Sequence, residues 1–85
     1  MLYIVQLTAE GANRHFNVFV ADTERDRAEA TAEQALRLEG WSEVATLRSG
    51  VVSEQALAER DQMFRDAAAA ARDTGWAIIR YSQDS

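Results

Sequence analysis

A chain of 85 residues, with 47% hydrophobic and 27% charged side chains, has the size and balance of one packed domain rather than of a disordered tail. The absence of cysteine excludes disulfides, thiolate metal sites and a cysteine nucleophile. The net charge is −5 and the nine basic residues, all arginine, are scattered from Arg14 to Arg80, which excludes the local basic stripe that nucleic acid needs.

Residues 1–7 lack a basic leader, and no run approaches the roughly 20 apolar residues of a bilayer span, so the expectation is a cytoplasmic protein that binds no membrane. Arginine without lysine, beside abundant alanine, is the composition of a GC-rich bacterial genome.

The first element expected is a β-hairpin over 2–21. Tyr, Ile, Val and Phe concentrate in 2–8 and 15–21, and the turn formers of 9–14 separate them. A helix over 22–39 follows, with Thr23 placed to cap its first amides and Gly40 to stop it. Val44, Thr46 and Leu47 mark a strand over 41–49. Ser53 opens a second helix over 53–74, in which alanine, leucine and charged residues continue without a breaker. Gly75 ends it, Trp76 to Tyr81 reads as a fourth strand, and 82–85 as a frayed polar tail. Both stop signals are Gly-Trp pairs, which fits helix closure by a left-handed glycine, Trp41 folding toward Leu36 and Trp76 toward Ala71. The fold expected is therefore α+β: a two-layer sandwich of ββαβαβ order, with a four-stranded mixed sheet and two helices.

The apolar residues are shared unevenly between these elements. Both faces of the hairpin carry large apolar groups, whereas the helices offer mostly alanine, with Leu36, Leu38, Leu57, Met63 and Phe64 as their large contributions. Two such helices on one face leave the other to be covered from outside. A homodimer packed through the sheet or its edge supplies that cover, with Leu2, Ile4 and Phe19 as interface residues. Helices on opposite faces are the alternative.

Chemistry-bearing residues are few. Asp22, Glu24, Asp26 and Glu33 fall at calcium-loop positions, but Arg27 stands where the sharp turn needs glycine, so the acids read as a helix start and no metal is expected. His15 is the one histidine, and Glu10 is the nearest carboxylate candidate to serve with it as a general acid–base pair. No nucleophile motif accompanies it, and neither catalysis nor a cofactor is expected. Glu33 with Arg37 and Asp61 with Arg65 have the spacing of surface ion pairs. The connector 49–53 precedes a helix start, where amides can cradle an anion. Arg48, Ser53 and Arg80 would form that ligand site if strands three and four ran parallel and adjacent. Three functions follow in order: a non-catalytic interaction or assembly module, an anion-binding or small-molecule regulatory domain, and an enzyme using His15.

Overall fold

The computed structural model describes residues 1–79, in the order β1 (Leu2–Ala9), β2 (Arg14–Ala21), α1 (Arg25–Leu38), β3 (Ala45–Val51), α2 (Glu54–Ala58), α3 (Gln62–Thr74) and β4 (Trp76–Ile79). Arg80 and the expected end of the fourth strand and tail lie outside the described residues.

The hairpin forms in the expected place, Ile4 facing Phe19 and Val5 facing Val18. Its turn takes three consecutive residues into the left-handed region, Glu10, Gly11 and Ala12. The sheet order is β3-β1-β2-β4 and every pairing is antiparallel, so the sheet is not mixed. Both later strands add to the outside of the hairpin, each against the strand that runs opposite to it. β3 and β4 consequently stand at opposite edges and run in opposite directions.

Two apolar clusters, one on each face, hold the helices. Tyr3, Val5, Leu7, Val18 and Val20 meet Ala28, Ala32 and Leu36 of α1. Leu2 and Phe19 meet Leu57 of α2 and Phe64, Ala68 and Ala71 of α3, together with Ile79. Residues paired across antiparallel strands share a face, so the register assigns the first set to one side and the second to the other. The helices thus flank the sheet instead of sharing one face, and the two-layer arrangement becomes three layers. The reason is visible in the spacing. Ala28, Ala32, Ala35 and Leu36, like Phe64, Ala68 and Ala71, form one narrow stripe per helix, and a sheet apolar on both sides needs one stripe on each.

The expected helix over 53–74 is two helices. Ser53 Oγ accepts from the Ala56 amide at 3.0 Å and Asp61 Oδ1 from the Phe64 amide at 3.1 Å, so each carries its own cap. The break lets Leu57 and Phe64 both reach the sheet. It also takes Asp61 away from the ion pair expected with Arg65, whose Nη2 donates to Gln62 Oε1 instead. At the other helix, Glu33 and Arg37 do meet, at 3.5 Å.

α1 closes as a Schellman turn: Gly40, at φ +98°, donates to Arg37 O, and Trp41 N donates to Leu36 O at 3.2 Å. Trp41 then stacks obliquely on Phe16, 4.9 Å between centroids. Spending Trp41 on this closure moves β3 to Ala45–Val51 from the expected 41–49. The second Gly-Trp pair behaves differently. Gly75 donates to Ala71 O, but the Trp76 side chain packs with the α1 cluster on the far face, not toward Ala71.

Thr23 does not cap α1. Asp22 Oδ1 accepts from the amides of Thr23 and Glu24 and from Arg27 Nε, while Thr23 Oγ1 accepts from Arg27 Nη2. Desolvation works to raise the Asp22 pKa, but the donors from Thr23, Arg27 and Glu24 outweigh it and hold the carboxyl below its ordinary value of 3.8. A folded-state pKa below the unfolded one means that the charge stabilises the fold above the ordinary value, and that this contribution is lost as pH falls through the folded one. Asp22→Asn is therefore expected to melt below the parent at neutral pH. Thermal scans against pH check this: the gap should close in acid, and a gap unchanged down to acid pH would contradict it.

Candidate functional site

The strand arrangement on which a ligand site of Arg48, Ser53 and Arg80 depended is absent among the described residues. Ser53 is spent as the cap of the five-residue α2, and β3 and β4 are separated by the whole sheet, so the parallel neighbourhood that would have joined Arg48 to Arg80 does not exist. Arg80 itself lies outside the described residues. Within the same connector, Ser49 Oγ donates to Glu29 Oε2 on α1, and Thr46 Oγ1 donates to Glu33 Oε2 at 2.6 Å. Both hydroxyls on the α1 side of β3 are thereby used to dock the strand.

Leu2 and Phe19 are core residues, 4% and 1% exposed under α2 and α3, and Ile4 is half-buried beside them. The chain itself covers the face on which a partner was expected, because α3 crosses from β3 to β4 on that side. An apolar depression of about 180 Å³ remains between Ile4, Val51, Val52, Leu57 and Phe64, and the Arg60 guanidinium lies over the Phe64 ring at 3.7 Å.

His15 is exposed on β2, opposite Thr8. It lines a shallow depression with Gln6, Asn17 and Leu47, and Glu10 is not among the lining residues of that depression. Among the described residues no three His, Asp or Glu side chains are placed to hold a metal, and no helix is long and apolar enough to cross a membrane.

What sequence reasoning missed is a polar row across three strands. Arg48 on β3 pairs with Gln6 on β1, and Gln6 pairs with Asn17 on β2, all on the face occupied further along by α2 and α3. Arg48 Nε donates to Gln6 Oε1 at 2.7 Å. Beyond Gln6 the ladder slips: Leu7 pairs with Thr46, and Leu47 is the extra residue of a β-bulge. A signal did exist, since Gln6 and Asn17 interrupt the apolar alternation of both hairpin strands at positions that the turn brings opposite each other.

The surface holds a second feature. Among the described residues, Met1, Leu38, Leu47 and Val51 are the large hydrophobic side chains left exposed, and two of them belong to β3, at 58% for Leu47 and 52% for Val51. β3 is also an edge strand, paired on one side with β1. Compared with known protein families, with curated proteins and with solved structures, the chain matches none of them.

Proposed function

We propose that this domain is a non-catalytic protein-interaction module that assembles as a homodimer through the outer edge of β3. With helices packed on each sheet face, the edge is where the pairing capacity of the sheet remains, and an edge strand presents unpaired N–H and C=O groups to another strand. The observation that carries the reading is the placement of Leu47 and Val51. Both lie on this outer strand, one on each side of Ser49, so two copies of β3 paired antiparallel about that residue would withdraw both from water. The same register sets each Arg48 opposite Gly50 and keeps the two guanidinium groups from facing one another. It is a self-complementary, two-fold contact of the kind that closes a dimer.

Light scattering or sedimentation equilibrium at micromolar concentration tests it. The parent chain is expected at twice its 9.5 kDa mass, and the double variant Leu47→Arg, Val51→Arg at that mass itself. Both positions are exposed, so each substitution should change the folded subunit by no more than about 0.5 kcal/mol. A parent that stays monomeric, or a double variant that stays dimeric, would sink the proposal.

A further inference from the structure

The face beneath α2 and α3 is apolar along only part of its length. Along β1 its side chains run Leu2, Ile4, Gln6, and along β2 Phe19, Asn17, His15, so the surface turns polar past the α2 and α3 cluster. Two shallow depressions, of about 280 and 250 Å³, lie in this polar half and meet at Gln6; Arg48 lines one and His15 the other.

This region places a guanidinium beside two depressions, held by a carboxamide. Among the described residues, no carboxylate lines either depression. Arg27, Arg37 and Arg72 each meet a carboxylate, Asp22, Glu33 and Glu54 respectively. Arg48 is held instead by the neutral carboxamide of Gln6, which fixes the guanidinium without neutralising it. Their bond uses the Gln6 carbonyl and the Arg48 Nε–H. The row is left with donors, namely the terminal N–H groups of the guanidinium and the amide NH2 of Gln6. A charged fork beside a neutral donor matches two oxygens of one anionic group.

We propose that Arg48 and Gln6, bordered by His15, bind a small oxyanion: a carboxylate or a phosphate group. Arg48 is the charged anchor. Gln6 orients it through Oε1 and donates to the ligand through Nε2. The proposal is independent of the homodimer, and mass measurement on the same samples reads that separately.

The test is a titration of the ¹⁵N-labelled chain at constant ionic strength, with inorganic phosphate in one arm and succinate in the other. Saturable shifts are expected with at least one probe at Arg48 Nε–H and the Gln6 amide, and the stronger probe names the group. Arg48→Gln should weaken that binding at least about tenfold, as loss of a charge-assisted hydrogen bond does, and Arg72→Gln should leave it unchanged. Arg48→Lys separates bidentate recognition from charge alone: an intermediate loss supports the fork, and an unchanged affinity overturns it. No shift with either probe, unsaturable shifts spread over all the arginines, or full binding by a folded Arg48→Gln would overturn the site itself.

Discussion

Replacing Phe19 by alanine is expected to lower the free energy of unfolding by about 3–5 kcal/mol, a large share of the roughly 5–15 kcal/mol that holds a domain together. Phe19 is 1% exposed at the centre of the sheet, with Ile4 beside it on β1 and Ala77 on β4. Its ring meets Phe64 of α3 edge to face, 5.9 Å between centroids, an arrangement that adds about 0.5–1.5 kcal/mol beyond area burial. Alanine removes the ring, and α3 cannot follow it down, because Ala68 and Ala71 already set the helix close to the sheet. Chemical denaturation of parent and variant measures the effect. The same residue would behave differently as an interface residue: its loss would then change the oligomeric mass, and the destabilisation would grow as protein concentration rose. A core residue gives one difference at every concentration and leaves the mass alone. A loss below about 1 kcal/mol would mean that α3 does not cover this face as described.

What the sequence discloses of this fold is what short stretches decide. The hairpin is legible because alternation and turn formers act within 20 residues, and the end of α1 is legible because Gly40 and Trp41 close it through bonds to Arg37 and Leu36. The break between α2 and α3 is a tertiary matter. Alanine, glutamate and arginine favour helix throughout, and the gain from seating both Leu57 and Phe64 overrides that preference, with Ser53 and Asp61 as the two caps that betray it. The face that each helix takes is decided further away still. Nothing near Gln62 in the chain says that it must cross from one edge of the sheet to the other on the side opposite α1. The polar row is beyond local reading for the same reason, since Arg48 reaches Gln6 across 42 positions of sequence. The homodimer expectation began from a face that the chain turns out to cover by itself. Only its edge variant keeps a physical basis, and that basis is the exposure of Leu47 and Val51.

Ala32→Leu probes the other face, and its expected cost is about 1–3 kcal/mol although it adds apolar volume. Ala32 is fully buried in the middle of α1, against the side of the sheet that carries Val5 and Val18. Three extra carbons there have no void to enter, so α1 must rise from the sheet or nearby side chains must leave their rotamers. Rising is resisted at β3, because Glu29 and Glu33 of the same helix accept from Ser49 and Thr46. A helix lifted by the width of a methyl group would stretch both bonds and loosen the strand on which the proposed dimer edge and Arg48 sit. Ala30→Leu is the control: the site is exposed on the same helix, and the change should stay within about 0.5 kcal/mol. Equal stability of the two leucine variants would mean that α1 is not packed closely, and that alanine at these positions reflects helix preference rather than contact. A loss confined to Ala32→Leu, with faster amide exchange in β3, would tie the narrow alanine stripe of α1 to the order of the strand it docks.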